Sequence, residues 1–489
     1  MTVTESRLLL FNAKIHTMDP KAPVASAIAL RGNRIRAVGP EAEAAVGRNA
    51  LKLDLAGRTV LPGLTDSHIH FTATALAQDE MDLSAASTVG EAVAQVAEEA
   101  VGAPDGAWIR GHGWDHNRYG RLPTRQDLDS VTPRHPVVLE AKDGHKVWVN
   151  SLALRAAGID EGAADPKGGR ILREEAGEPS GVLLEAARTL MGKAVSPPPP
   201  RQRQAALRRA MEEAWQHGLT GIHHLSGMDP RHEGDMLADY DALRTDGSLG
   251  LRVLLMLPPT QLEEILHWRR EEIDPWNRLI VGGIKIFADG TLGSQTADLF
   301  EPFANGEGDR GIEVTAQEDL VEIVREASMA GAACSVHAIG DRAVHRALEA
   351  LSRTEPAHGP RHRIEHVQLL GPPDVSRFSE LRVVASMQPV HATSDMELAD
   401  RYWGQRSRRA YAWRSLLDAG AVLAFGSDAP VETWNPWAGI HAAVTRQRAN
   451  GQPPGGWYPG ERLSVEDAVR GYTVGAAWAA GQEDRTGSL

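Results

Sequence analysis

The segment TDSHIH places two histidines, His68 and His70, two positions apart at the end of an apolar, strand-like run. Side chains alternate along a β-strand, so both imidazoles point to the same side. Two imidazoles placed in this way can bind one metal ion, and zinc commonly takes such nitrogen ligands. A pair of this kind also occurs by chance, so its meaning depends on the rest of the chain.

Four further apolar runs end in a residue that could bind a metal or be converted into a ligand. These residues are Lys285 in GIKIF, His337 in SVHAI, His366 in RIEHV and Asp428 in FGSDAP. In barrels of parallel strands, catalytic residues come from the C-terminal ends of several strands. The pattern therefore predicts one shared metal site, although a lone histidine is more often a hydrogen-bonded core residue.

The elements that must position these side chains are eight short apolar runs separated by helix-period stretches. This alternation is typical of a parallel sheet built from βα units. The predicted strands span residues 63–70, 219–225, 251–257, 281–287, 333–339, 362–367, 381–387 and 421–427. The predicted fold class is therefore α/β, as a (β/α)8 TIM-type barrel.

Two further parts are predicted outside the barrel strands. Three short β-type runs predict a small β domain over residues 1–60, which residues 482–489 could join. About 150 residues separate the first two barrel strands, far more than a usual βα connection, so we expect an α+β insert over residues 72–200. The barrel and its insert together are assigned to residues 61–481.

The composition narrows the class of partner. The chain has 52 Lys and Arg residues against 65 Asp and Glu residues, which gives a net charge of −13. This charge does not favour binding to nucleic acid or to an anionic membrane. The single cysteine, Cys334, excludes an intrachain disulfide and fits a reducing cytoplasm; we expect it to be buried and inert. No apolar stretch approaches the ~18 residues of a membrane span, and the N-terminus has no signal-peptide pattern. A small-molecule substrate and a cytoplasmic location are expected, and a homodimer stays open.

Five separated motifs give the sequence a family resemblance. LPGLTDSHIH, GIKIFADGTLGS, SVHAIGD, RIEHVQ and FGSDAP occur in the order of the amidohydrolase superfamily, and the chain resembles its family 3 branch, which includes N-substituted formamide deformylase. The resemblance covers nearly the whole chain. It implies two divalent metal ions, expected to be zinc, the more buried one held by His68, His70 and Asp428 and the more exposed one by His337 and His366.

The resemblance also implies that Lys285 bridges the two metal ions. A charged ammonium cannot bind a cation, so the lysine would react with CO2 to give N6-carboxylysine, whose carbamate offers two oxygens. The alternative is a lysine that forms a salt bridge with Asp289 or Glu365, which would leave a mononuclear site. Glu365, adjacent to His366, is expected to point away from the pocket and to serve the structure.

The activity implied by the resemblance is hydrolysis of a non-peptide C–N bond, with N-formyl or N-acyl amides as the leading substrate class. A bound zinc ion lowers the pKa of its water to about 7 and polarises the scissile carbonyl. Asp428 would act as general base and then as general acid. A ring deaminase or cyclic-amide hydrolase of the same superfamily is the alternative, followed by a non-catalytic metal-bound scaffold.

Other residues are predicted to face the substrate. His391, in MQPVHATSD after the seventh strand, is expected to contact the substrate or an oxyanion. His145 and Asp143, in the insert segment AKDGHKVWVNS, either bind substrate or stabilise a turn.

Aromatic and histidine residues outside the ligand set give further expectations. Trp114, Trp403, Trp434 and Trp437 fall in predicted mouth loops, where they would make an aromatic pocket unless they pack elsewhere. His223 and His224 are expected to support or pack rather than to bind metal. Family members usually continue beyond the GSL segment with strands that complete the β domain, whereas this chain ends at Leu489.

Overall fold

The N-terminal part of the chain forms two small sheets with strand orders β5-β4-β1-β6 and β3-β2-β7. A computed structural model describes residues 6–227, 234–271, 278–304, 306, 308–354 and 359–489. The elements are β1 Arg7–Phe11, β2 Lys14–His16, β3 Val24–Ala25, β4 Ile28–Arg31, β5 Arg34–Val38, α1 Ala42–Val46, β6 Leu51–Asp54 and β7 Thr59–Val60. The backbone N–H of Leu489 donates to the carbonyl of Thr17 at 2.8 Å, so the last residue contacts this region.

Between the first and second barrel strands the chain builds a six-stranded sheet, in the order β13-β14-β12-β11-β10-β9. Its sides follow the two-residue period of a strand, because Trp148 packs in one apolar cluster while Val147 and Val149 pack in another. The elements are β8 Leu64–Ile69, α2 Phe71–Ala77, β9 Met81–Asp82, α3 Val89–Gly102, β10 Ile109–Trp114, α4 His116–Tyr119, α5 Arg125–Asp129, β11 Val137–Ala141, β12 Lys146–Val149, α6 Ser151–Ala157, β13 Gly169–Arg173 and β14 Pro179–Glu185, followed by a 3-10 helix at Ala186–Lys193.

The largest sheet contains eight parallel strands in the order β21-β20-β19-β18-β17-β16-β15-β8. It confirms all eight predicted barrel strands, with bounds that differ by a few residues. After α7 (Pro200–Gln216), the remaining strands are β15 Leu219–Leu225, β16 Arg252–Leu257, β17 Leu279–Phe287, β18 Ala333–Ala338, β19 Arg363–His366, β20 Val384–Met387 and β21 Leu423–Phe425.

Helices cover the outside of this sheet and contribute to the largest apolar core. They are α8 Met236–Thr245, α9 Leu262–Glu271, α10 Gln317–Met329, α11 Asp341–Leu351, α12 Arg377–Glu380, α13 Pro389–Trp403, α14 Trp413–Asp418, α15 Pro436–Thr445, α16 Val465–Gly471 and α17 Val474–Ala479. Cys334 is fully buried, and burial raises the pKa of its thiol to about 12, as expected for an inert residue. Within the described ranges, no helix has both the length and the apolar character needed to cross a bilayer.

The first and last strands close the sheet into a barrel. The backbone N–H of Asp428 donates to the carbonyl of His68 at 2.7 Å, and that of His70 donates to the carbonyl of Ala429 at 3.0 Å. A Cβ atom at Gly426 would lie 2.4 Å from the backbone nitrogen of His68, so only glycine permits this approach. The seam therefore brings the two ends of the barrel together at residues predicted to bind metal.

Candidate metal centre

Imidazoles from three barrel strands cluster at the C-terminal face of the barrel. The ring of His366 lies 4.8 Å from that of His68 and 4.5 Å from that of His337, measured between centroids. The Nε2 atoms of His68 and His70 both lie 3.2 Å from Oδ1 of Asp428. The fold thus brings together residues from positions 68 to 428 of the chain.

Two of the four clustered imidazoles are held by side-chain acceptors. Nδ1 of His68 is 2.7 Å from Oε2 of Glu365, and Nδ1 of His366 is 2.8 Å from Oε1 of Gln388. An acceptor at one ring nitrogen keeps the proton on that nitrogen. Nε2 of each ring then carries the lone pair that can bind a metal ion.

The other two imidazoles are held by backbone carbonyls. Nδ1 of His70 is 2.8 Å from the oxygen of Leu225, and Nε2 of His337 is 3.0 Å from the oxygen of Gly290. His70 is therefore left with Nε2 as its lone-pair nitrogen, and His337 with Nδ1. Fixing the tautomer through the second nitrogen is how metal-binding histidines are usually supported.

A buried ion pair supports this cluster from inside the barrel. Nε of Arg363 donates to Oε1 of Glu365 at 2.5 Å, and NH1 of Arg363 donates to Nδ1 of His223 at 2.9 Å. Burial opposes ionisation of Glu365, but the charge of Arg363 and the hydrogen bond from His68 hold its pKa well below the usual range. His223 therefore supports the network, as expected, while Nδ1 of His224 contacts the Tyr240 hydroxyl at 3.0 Å.

Glu365 lies outside the lining of the cavity and serves the structure, as expected, but its side chain points into the barrel interior rather than outward. Alternation places Arg363 and Glu365 on the inward face of β19, beneath the site. His366 joins them because its φ of +73° is left-handed and ends the regular alternation. The signal that could have identified the pair is the spacing of two opposite charges, two residues apart on a barrel strand.

Asp428 interacts with His391 through its second oxygen. Oδ2 of Asp428 is 3.1 Å from Nε2 of His391, and Nδ1 of His391 is 3.8 Å from Oε1 of Glu432. Burial alone would lower the pKa of His391, but the carboxylates of Asp428 and Glu432 raise it to about 10. Burial opposes ionisation of Asp428, yet His68 and His391 hold its pKa well below the usual range. His391 is therefore a cation beside an ionised Asp428.

Lys285 lies on β17 and is 1% exposed. Burial lowers the pKa of His337 and of His366, and the charge of Lys285 contributes to both shifts. The charge of Lys285 also lowers the pKa of Glu365, one of the two carboxylates considered as its salt-bridge partners, and both carboxylates have further contacts. Glu365 binds Arg363 and His68, and Asp289 accepts backbone hydrogen bonds from Asp298, Ile339 and Gly340.

The insert contributes His145 from the turn between β11 and β12. Its ring lies 4.9 Å from that of His337, and its Nδ1 is 2.6 Å from Oε2 of Glu185. Asp143 also lines the open space over the cluster, and its carboxylate pairs with the Lys146 ammonium at 2.6 Å. His145 thus reaches the barrel cluster, while the carboxylate of Asp143 is engaged by Lys146.

A cavity of about 520 Å³ opens over the cluster, and the four tryptophans expected to line it lie elsewhere. Trp114 and Trp403 are buried in apolar cores, Trp434 packs on Phe71, and Trp437 is about half exposed. None of the four lines this cavity. Trp114 borders only a smaller cavity beside it.

The donor set fits a divalent cation. Ligand atoms of His68, His70 and Asp428 all lie within 4.8 Å of one another. Burial lowers the pKa of His337 and of His366, which keeps these rings neutral and able to bind metal. Neutral imidazoles and an ionised carboxylate are ligands that zinc and similar divalent ions accept.

Comparison with known proteins gives the family. The family model described as "Amidohydrolase family" matches residues 53–489. The chain is 35% identical to Protein LONG AFTER FAR-RED 3 of Arabidopsis thaliana, over 99% of this chain and 85% of the relative. It is 28% identical to N-substituted formamide deformylase of Arthrobacter pascens, over 99% of this chain and 91% of the relative.

A solved structure agrees with this assignment. A metal-dependent hydrolase from Pyrococcus horikoshii has a TM-score of 0.76 and 25% identity, and the match covers 99% of this chain and 95% of that one. The resemblance seen in the five motifs is thereby confirmed. The chain belongs to the amidohydrolase family and is a metal-dependent hydrolase acting on C–N bonds.

Proposed function

We propose that the chain hydrolyses a non-peptide amide, of the N-formyl or N-acyl class, at a centre of two divalent metal ions, expected to be zinc. The observation that carries this proposal is the cluster of four imidazoles whose second ring nitrogens each have a fixed acceptor. The similarity to an N-substituted formamide deformylase supports the substrate class.

The proposed ligands divide between the two ions. His68, His70 and Asp428 would hold the more buried ion, His337 and His366 would hold the more exposed one, and Lys285, as N6-carboxylysine, would supply oxygens to both. Bound metal ions supply Lewis acidity that activates water and polarises the scissile carbonyl.

Asp428 has the proton-transfer role in this proposal. Its Oδ2 accepts a proton from the attacking water and then delivers it to the leaving nitrogen. The His391 cation, 3.1 Å from the same oxygen, keeps the carboxylate ionised before the reaction. His145 has Nε2 left for the substrate because Nδ1 is engaged by Glu185.

The test combines metal analysis with a substrate panel. The chain, purified without chelators, is analysed for metal by mass spectrometry and assayed with N-formyl, N-acetyl and cyclic amides. About two equivalents of metal and release of amine from the acyclic amides are expected. Ammonia release from a ring amidine, or turnover of cyclic amides alone, would favour the alternative activities. Bound metal without any turnover would favour a scaffold.

The bridging lysine has its own test. Lys285→Ala should lose the second metal ion and most activity, and a short-chain carboxylate in the buffer should restore part of both by supplying the missing oxygens. Lys285→Arg is the control, because a guanidinium fills the space and cannot be carboxylated. Full metal content in Lys285→Ala without added carboxylate would exclude the bridge.

A further inference from the structure

Glu185 is a buried carboxylate at the end of β14, where the insert meets the barrel. Its side chain is fully buried, and it lines neither of the two cavities at the site. Its φ of +51° is left-handed. A residue with a Cβ atom adopts this conformation rarely, and the conformation persists where surrounding contacts hold it, often beside functional sites. Glu185 does not touch a substrate, so any part that it has in the reaction passes through a neighbour.

The two carboxylate oxygens of Glu185 have partners from different parts of the fold. Oε2 is 2.6 Å from Nδ1 of His145, in the insert. Oε1 accepts a hydrogen bond from Oγ1 of Thr296, in the loop after β17, at 2.5 Å. The backbone N–H of Glu185 also donates to the carbonyl of His145 at 2.9 Å. One carboxylate thus joins the insert histidine to a loop of the barrel.

The same barrel loop holds the proposed ligand His337. The backbone N–H of Gly290 donates to the carbonyl of Thr296 at 3.2 Å, and the carbonyl oxygen of Gly290 is 3.0 Å from Nε2 of His337. A Cβ atom at Gly290 would lie 2.2 Å from Oε1 of Glu185 and 2.1 Å from Oγ1 of Thr296, so only glycine leaves room for this contact. The rings of His145 and His337, 4.9 Å apart, are therefore held by one connected set of hydrogen bonds.

The carboxylate of Glu185 serves His145 rather than a lysine or an arginine. Among the described residues, His145 is the one basic side chain within 4.0 Å of it. Burial of a carboxylate is unfavourable unless hydrogen bonds compensate, and a carboxamide of the same size would avoid that cost. A carboxamide can also donate, whereas an ionised carboxylate only accepts, so the carboxylate alone fixes the proton of His145 on Nδ1.

The other nitrogen of this ring faces the site. His145 lines both cavities, and nothing in the described part of the chain is hydrogen-bonded to its Nε2. With the proton held on Nδ1, Nε2 is the atom that His145 presents to a substrate.

We propose that Glu185 is a positioning residue, which fixes the ring and the proton of His145 relative to His337, so that Nε2 of His145 meets a substrate held at the metal centre. This inference rests on the proposed function. Glu185 takes part in no bond that forms or breaks. Its effect on turnover passes through His145, and its own position comes from Thr296.

A double-mutant cycle tests whether Glu185 acts through His145. Glu185→Ala in the metal-loaded chain should lower kcat/KM for an N-formyl amide about tenfold, the loss expected for one hydrogen bond. In a His145→Asn background the same change should lower kcat/KM less than about twofold, because the ring to be positioned is gone. Equal losses in both backgrounds would mean that Glu185 only supports the fold and would overturn the proposal.

Two milder variants keep the proposal falsifiable where Glu185→Ala does not fold. Glu185→Gln keeps the volume but adds a donor, so it should lower kcat/KM by less than Glu185→Ala. Thr296→Val removes the hydroxyl that anchors Oε1 and should lower kcat/KM only when His145 is present. Thr473→Val is the matched control, because this threonine is also buried but lines neither cavity. Wild-type kinetics in both Glu185→Gln and Thr296→Val would contradict the proposal.

NMR spectroscopy separates failure of this inference from failure of the proposed function. The ring nitrogens of histidine are isotope-labelled, and the signals of His145 are identified by their loss in His145→Asn. At a pH at which the ring is neutral, the proton should lie on Nδ1 in the wild type and be divided between both nitrogens in Glu185→Gln. That result without turnover of any amide would retain the positioning role and reject the activity alone. A wild-type ring protonated at Nε2 would overturn the inference.

Discussion

The strand ends of the barrel and the inserted sheet supply the site in different ways. The barrel supplies imidazoles whose protons are fixed by short hydrogen bonds, such as that from Nδ1 of His68 to Glu365 at 2.7 Å. The insert supplies charged side chains paired with each other or with the barrel, such as Arg188 with Glu140 at 2.8 Å. Under the proposed function the barrel would carry the reaction and the insert would form the wall that meets the substrate, so the two should respond differently to substitution.

The largest effect is expected from the barrel carboxylate. Asp428→Asn should lower kcat/KM by about 10³-fold or more, because it removes both a ligand charge and the proposed general base. Steady-state kinetics and circular dichroism would measure activity and folding. Asp418→Asn, at an exposed aspartate on α14, is the control. Turnover near the wild-type value in Asp428→Asn would remove Asp428 from the mechanism.

A smaller loss is expected from the residue beneath the imidazoles. Glu365→Gln keeps the volume but weakens the acceptor for His68 and removes the charge that pairs with Arg363. Metal affinity should fall about 10- to 100-fold, as measured by competition with a chelator. Glu349→Gln, at an exposed residue, should leave affinity unchanged. Equal affinities in the two variants would mean that the network does not support metal binding.

A substitution in the insert should change the turnover of substrate without changing the metal content. His145→Asn is expected to retain the wild-type metal content and to lower kcat/KM about tenfold, the loss expected for one substrate hydrogen bond. Metal analysis and kinetics on the same preparation would check both. Loss of metal in this variant would show that the division between barrel and insert does not hold.

The smallest effect concerns the stability of the insert against acid. Burial and the charge of Lys146 lower the pKa of His116, on α4, from 6.5 to about 4. The unfolded chain then binds a proton that the native chain does not, so stability is lost as pH falls from 6.5 towards 4, by at most about 1.4 kcal/mol per pH unit. Unfolding measured across this range should show a shallower pH dependence in His116→Asn. His441→Asn, at an exposed histidine, should retain the wild-type slope.

The same two regions differ in how far the sequence predicts them. The eight barrel strands follow from apolar runs, and their order follows from the right-handed βα rule, so residues at strand ends could be expected to meet. The position of His366 on the same side as Glu365 could not be expected, because it depends on a left-handed backbone at His366, and nothing in the sequence marks a non-glycine residue for that conformation.

Contacts of the insert were harder to predict. His145 meets Glu185 and Arg188 meets Glu140 across separations of 40 and 48 residues, through a sheet whose strand order is not set by a repeated βα unit. The tryptophans show the same limit, since position in a loop does not say whether a ring faces the mouth or a core. Which charges line the cavity therefore had to come from the structure.

Closure of the barrel determines when the proposed metal site can form during synthesis of the chain. The backbone of Asp428 bonds to that of His68 across the seam, and the same two side chains belong to the proposed buried metal site. A ribosome must release position 428 before this pairing can form, so a nascent chain that has made only its first strands cannot take up the cation in its final coordination. Binding of an ion at the proposed site therefore requires that the barrel has closed.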